Sequence, residues 1–286
     1  MAKKRKKAAK KKAKKGFWHY FGKSIVYSAK GVFYTFKGGY LAVRFFARLG
    51  KKQAVKTAEK KEAKRVEKIR PKVEASYSPL KEVKKIGGNL SKFESHLMKK
   101  DSLIGIILGA RGSGKSAIGM KLLENFHSKS RKNVYAMGFR KEDLPAWMNV
   151  VDNVSQIEND SVVLIDEGGI TFSSRKSMSD ANQLLSDLLM IARHKNLTIL
   201  FITQNSSNIE VNVLRQADFL LMKPSSLLQK DFERKKIKDI YEKVAQDFDE
   251  MKEDPGLTYI HSDKFQGFIS NELPSFWNVR VSKSFK

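Results

Sequence analysis

The segment "GARGSGKS", Gly109 to Ser116, follows the apolar run "LIGIIL" directly and precedes the amphipathic "AIGMKLLENF" directly. That order reads as strand, glycine loop, helix. Gly112 and Gly114 let the backbone curl so that successive N–H groups point at phosphate oxygens, and the helix that starts beyond them adds its positive end. Gly109, Gly112, Ser113, Gly114, Lys115, Ser116 and Ala117 are therefore expected to hold the phosphates of ATP. Lys115 would reach the β- and γ-phosphates, and the Ser116 hydroxyl would hold Mg2+.

A second segment, "SVVLIDEGG" (Ser161 to Gly169), is an apolar strand that ends in two carboxylates. Open α/β sheets bind ligands at the C-terminal ends of their strands, so Asp166 is expected beside the phosphates, orienting Mg2+ through water. Glu167 would act as the general base on the attacking water. A third apolar run, "LTILFITQN", ends in Gln204, whose amide can hydrogen-bond both a γ-phosphate and that water, or alternatively cap a turn. Between these strands lies "SMSDANQLLSDLLMIARHKN", a helix expected to open with a capping box at Ser177 and Asp180 and to close on Arg193 and His194. Arg193 either favours the helix C-terminus as a cation or acts on phosphate, within the chain or across a subunit boundary. Arg215 and Arg175 are its rivals, and sequence does not choose among them.

These residues need a scaffold. After Asp101 short apolar runs alternate with amphipathic helices, giving strands over Leu103 to Leu108, Asn133 to Phe139, Val162 to Ile165, Thr198 to Thr203 and Phe219 to Met222. Strands alternating with helices imply a mainly parallel sheet covered on both faces. A long helix is expected from about Leu228 to Met251, ended by Pro255–Gly256, and "LTYIHSDKFQGFIS" then reads as a hairpin.

The chain has 286 residues and a formal net charge of +26, and the charge is one-sided. Residues 1–100 hold 31 Lys and Arg against 6 Asp and Glu, leaving 25 against 24 for residues 101–286. The basic charge thus belongs to an appendage suited to polyanions, nucleic acid before anionic membrane. Residues 1–15 read as a Lys-rich disordered tail. Residues 16–50 are aromatic and amphipathic, with Lys23, Lys30, Lys37 and Arg44 spaced by seven, a narrow polar stripe if helical. Their surroundings would be a membrane surface or a protein partner such as a capsid or portal. Residues 51–100 read as a charged linker, helical up to Pro71, with a short helix near Leu90 to Met98. The chain has no cysteine, which excludes disulfides and Cys-ligated zinc, and no secretory leader is read at its start. Location in the cytoplasm or a virion, peripheral to a membrane at most, is the expectation.

The set "GARGSGKS", "VVLIDEGG", "ARHKNLTILFITQ" and "VLRQADFLL" resembles the FtsK/HerA superfamily of ring-forming ATPases. Within it the set is most similar to the poxvirus-type genome-packaging ATPases, where an Arg-His pair precedes the Gln-tipped strand. The resemblance covers roughly residues 101 to 225. It implies a three-layer α/β/α P-loop NTPase over 101–286, RecA-like and of the additional-strand catalytic-Glu type, with a basic, helical or disordered N-terminal extension. It implies that the Gln204 strand inserts between the phosphate-loop strand and the Asp166 strand. It further implies a homo-oligomeric ring, hexameric by preference, that translocates double-stranded DNA, with Lys115, Glu167, Gln204 and Arg193 as the catalytic set. A second reading is a membrane-associated ATPase for protein export or filament assembly, Zot-like.

Overall fold

Four apolar runs, Leu103–Leu108 (β2), Ser161–Asp166 (β5), Thr198–Ile202 (β6) and Phe219–Met222 (β7), form the centre of one sheet. Nearly every residue in them is buried, as strands covered on both faces require. The computed structural model describes residues 53, 55–130, 132–167, 186, 189–209 and 211–284. The expected tail, the aromatic segment, Arg175 and the Ser177–Asp180 capping box lie outside the described residues. The chain divides into two units, residues 1–65 and 66–286. In the first, residues 55–65 are helical and exposed.

The second unit adds Lys81–Gly88 (β1), Asn133–Met137 (β3), Asn149–Val150 (β4), Leu257–Ser262 (β8) and Phe265–Ser270 (β9) to the sheet, in the order β1-β9-β8-β7-β2-β6-β5-β3-β4. The block from β7 to β4 is parallel and the block from β1 to β8 antiparallel. Alternate side chains of the central strands enter two separate cores. Ile106, Leu108, Val163, Ile165, Ile199 and Phe201 pack with Ile237, Ile240, Tyr241, Val244 and Phe248 on one face. Ile107, Val162, Leu164, Leu200 and Ile202 pack with Phe93, Leu97, Ile118, Leu122 and Leu123 on the other. The result is three layers, α/β/α. Gly105 sits in this frame because Phe219 is its partner on β7, and a Cβ at 105 would lie 2.3 Å from the phenyl ring.

Among the described residues the helices of the second unit include α1 (Leu90–Lys99), α2 (Lys115–Asn125), α3 (Val211–Gln216), α4 (Leu227–Phe232), α5 (Lys235–Lys243), α6 (Ala245–Glu250) and α7 (Val279–Ser282). Two of these observations correct the sequence reading. Residues 81–88, read as part of a charged linker, form an edge strand, while the short helix expected near Leu90 to Met98 is α1. Asn89 caps α1 by accepting from the Lys92 amide at 2.9 Å, and Leu90, Phe93 and Leu97 are buried. β1 gave no strand signal because nearly all its residues are exposed, so no apolar–polar alternation marks it. The single helix expected over 228–251 is three. The Glu233 carboxylate is buried and accepts from the Ser206 amide at 2.8 Å, while Arg234 donates from Nε to the Ser206 carbonyl at 3.0 Å. These tertiary bonds pull the chain out of helix at 233–234, where local periodicity alone would have continued it.

Candidate active site

Because β2, β5, β6 and β7 are parallel, their C-terminal ends lie along one edge of the sheet, and the residues that follow each strand meet there. After β2 comes the glycine loop, after β5 Glu167, after β6 Thr203 and Gln204, and after β7 Lys223. The loop is shaped by three glycines at positive φ, Gly109 at 149°, Gly112 at 77° and Gly114 at 92°. Gly114 is the N-cap of α2 in left-handed backbone that a side chain would strain. The Ser113 amide donates to the Ala110 carbonyl at 3.2 Å and the Ala110 amide to the Pro224 carbonyl at 3.0 Å, which fixes the curl against the segment after β7.

Lys115 opens α2 and is buried, with Nζ donating to the Gly109 and Ala110 carbonyls at 2.9 and 2.8 Å. Burial pushes its pKa down to about 8, opposed by the negative charges of Asp166 and Glu167. Its amine is thus seated inside the loop and coupled to both carboxylates. Ser116 is half-buried beside it and Ala117 is buried. Among the described residues the Ser113 hydroxyl is buried without a hydrogen-bond partner, although its oxygen lies 2.8 Å from where a Cβ on Gly109 would stand. A phosphate oxygen would satisfy it.

Asp166 ends β5 and Glu167 follows, both buried. Burial raises the Glu167 carboxyl above the usual carboxylate range. The Thr203 hydroxyl, which donates to Glu167 Oε2 at 2.5 Å, the Asn208 side chain, the Gln204 amide and the Lys115 charge all work against that rise. Sequence reading missed Thr203 and Asn208: each looked like an ordinary residue of a strand end and turn, and only the closeness of β5 and β6 gives them a carboxylate to hold. Thr203→Val is expected to remove that donor and move the acidic limb of the pH–rate profile to higher pH, since a carboxylate with one bond fewer needs a higher pH to ionise. A profile with an unmoved limb would remove Thr203 from the site.

Gln204 contributes its backbone amide to Glu167, and its side chain is exposed. The structure therefore brings together Lys115, Ser116, Asp166, Glu167 and the Gln204 backbone. It does not bring Arg193. That residue is exposed in the turn before β6, at the N-terminal end of the strand whose C-terminal end holds Thr203, so the length of β6 separates it from the site. Arg215 is exposed on α3.

A glycine loop between the end of β2 and α2 is found in many sheets; the deciding observation is that β6 lies between β2 and β5, pairing Ile107 with Ile202 on one side and Ile202 with Asp166 on the other. The fold is that of a P-loop NTPase. Within this P-loop fold, residues 119–220 match the family model described as Zonular occludens toxin (Zot), a stretch that begins just after the phosphate loop and includes Asp166, Glu167 and Gln204. No curated protein sequence matches the chain. Among solved structures the chain is similar to the DNA-packaging ATPase B204 from Sulfolobus Turreted Icosahedral Virus (TM-score 0.44, 16% identity, covering 61% of this chain and 100% of that one). It is similar to the genome packaging NTPase B204 from Sulfolobus turreted icosahedral virus 2 in complex with ATP-gammaS (TM-score 0.38, 16% identity, 62% and 100%). It is also similar to EssC (ATPases 2 and 3) from Geobacillus thermodenitrificans (TM-score 0.42, 13% identity, 75% and 48%).

The donor set fits Mg2+ in the way a nucleotide site uses it. The Ser116 hydroxyl and one carboxylate, Asp166, stand at the loop, and among the described residues no group of three His, Asp or Glu forms a cage. Mg2+ bound with phosphates takes one or two protein ligands and completes its shell with phosphate oxygens and water.

Proposed function

We propose that the chain hydrolyses ATP and uses the energy to translocate double-stranded DNA, as a genome-packaging motor does. The observation that carries the hydrolase part is the gathering of Lys115, Asp166 and the buried Glu167 at one sheet edge over a curled glycine loop. The loop amides and the α2 N-terminus would bind the phosphates, and Lys115 would leave its two carbonyls to reach the β- and γ-oxygens. Ser116 and Asp166 would hold Mg2+, which neutralises phosphate charge when bound. Glu167, ionised and steered by Thr203 and Asn208, would take the proton of the water that attacks the γ-phosphoryl group. Phosphoryl transfer asks mainly for positioning and charge stabilisation, which this edge supplies.

The DNA part rests on the charge of the first hundred residues. A motor that tolerates any sequence needs phosphate contacts rather than base contacts, and a block of +25 suits that. In this reading the chain works as a ring, and an arginine of a neighbouring subunit, Arg193, Arg215 or Arg175, would complete the site. Arg193 lies at the far end of β6 from its own Lys115, so a role at phosphate would have to be exercised on another subunit. The Zot match over residues 119–220 favours a second reading, an ATPase at a membrane serving protein export or filament assembly. Among the described residues no helix is long and apolar enough to cross a membrane, so attachment in that case would fall to residues 16–50.

The test is ATP turnover at low and moderate salt with double-stranded DNA or with anionic lipid vesicles. DNA is expected to raise turnover, and the stimulation to fall steeply as salt rises, because counterion release drives such binding. Stimulation by vesicles alone transfers the proposal to the membrane reading, and no stimulation by DNA at low salt removes the motor.

A further inference from the structure

Lys223 is fully buried and has no place in the hydrolysis scheme above. It follows β7, and its amide donates to the Leu108 carbonyl at 2.8 Å, which sets it directly under the start of the glycine loop. A Cβ on Gly109 would lie 2.6 Å from the Lys223 Cβ, and a Cβ on Gly114 would lie 3.5 Å from both Cε and Nζ. The side chain therefore runs along the back of the loop from its first glycine to its last. We propose that Lys223 is a second cation of the phosphate site, which strengthens polyphosphate binding through the loop without touching the nucleotide. The inference rests on the nucleotide-site reading given under Proposed function.

The partners of Nζ are neutral. It donates to the Gly256 carbonyl at 3.0 Å and to Asn271 Oδ1 at 3.5 Å. Among the described residues no carboxylate is within ion-pair distance of it. The charge of Asp254 favours the ammonium but does not offset burial, which pushes the pKa down to about 8. Nζ also stands next to the N-cap of α2, at the positive end of that helix. A cation in such a place opposes both its own desolvation and the helix dipole. A methionine would fill much of the same space without either penalty. The arrangement becomes favourable once several negative charges sit on the other face of the loop, and the gain grows with each phosphate because the intervening medium is buried protein, not water. This predicts a graded effect, largest for ATP, smaller for ADP and smallest for AMP.

The chain contains no cysteine, so Lys223→Cys creates a unique thiol. Alkylated while unfolded and then refolded, it yields side chains of nearly lysine's shape, with an amine (from 2-bromoethylamine) or without one (from 1-bromopropane). The amine-bearing form is expected to bind Mg-ATP as the wild type does. The propyl form and Lys223→Met, expressed directly, are expected to bind ATP about tenfold more weakly, with AMP binding within about twofold of wild type. Equal ATP affinity of the two alkylated forms overturns the inference, because a packing role would treat them alike. If the alkylated chains do not refold, Lys223→Met decides alone: equal losses for ATP, ADP and AMP overturn it. A wild-type protein that binds no ATP would instead bring down the nucleotide-site reading itself, an outcome separate from unaltered binding by Lys223→Met.

Discussion

Glu167→Gln is expected to lower ATP turnover by about 10²- to 10⁴-fold, the range of a positioned general base, while ATP still binds. The amide is nearly isosteric with the carboxylate and can still accept from the Thr203 hydroxyl, so the fold and the loop should persist. What it cannot do is accept a proton from water. Steady-state turnover together with a binding titration of ATP checks both halves. A variant that turns over as fast as wild type would show that another group takes the proton. The wild-type pH profile carries the same information. Burial raises the Glu167 carboxyl, so the base is protonated, and idle, at a higher pH than an exposed glutamate would be. Turnover should therefore fall as pH drops through that raised value, and Thr203→Val should bring the fall at a higher pH still.

Much of this site was legible because its chemistry is contiguous in the chain. "GARGSGKS" carries its glycines, amine and hydroxyl within eight residues, and "VVLIDEGG" places two carboxylates at the end of an apolar strand. The central strands were legible for a related reason: burial on both faces leaves an unbroken apolar run. Other features depend on which segments meet, and a single sequence does not report that. Thr203 and Asn208 become ligands of Glu167 only because β6 lies against β5. Lys223 is one lysine among 56 basic residues until β7 sets it beneath Gly109. The break at Glu233–Arg234 depends on Ser206, far away in sequence, while the local periodicity there is helical. Arg193 is the instructive case in the other direction. It precedes a strand whose far end bears Gln204, so strand direction alone places it away from the phosphates of its own subunit and leaves only the reading across a subunit boundary.

Lys115→Met is expected to weaken ATP binding by about 10- to 100-fold, the worth of a charge-assisted contact, and to make the nucleotide-free protein no less stable at neutral pH. The two expectations have one cause. The amine is held in a buried loop with its pKa lowered to about 8 from 10.5, so keeping it protonated at pH 7 costs the folded state roughly 3 kcal/mol. Methionine removes that cost, although it also leaves the Gly109 and Ala110 carbonyls without their donor, which offsets part of the gain. The sign of the pH dependence separates these terms. Between pH 8 and 10.5 the unfolded chain still binds a proton at this lysine and the folded chain does not, so wild-type stability gains from this group as pH rises through that window. Lys115→Met lacks this contribution, so its advantage over wild type should be largest at pH 7 and shrink towards pH 10. Denaturant unfolding of both proteins at pH 7 and pH 10 measures the difference. A stability gap that does not change with pH would mean that Lys115 is solvated in the folded chain, and its reach towards phosphate would then start from water and not from the loop.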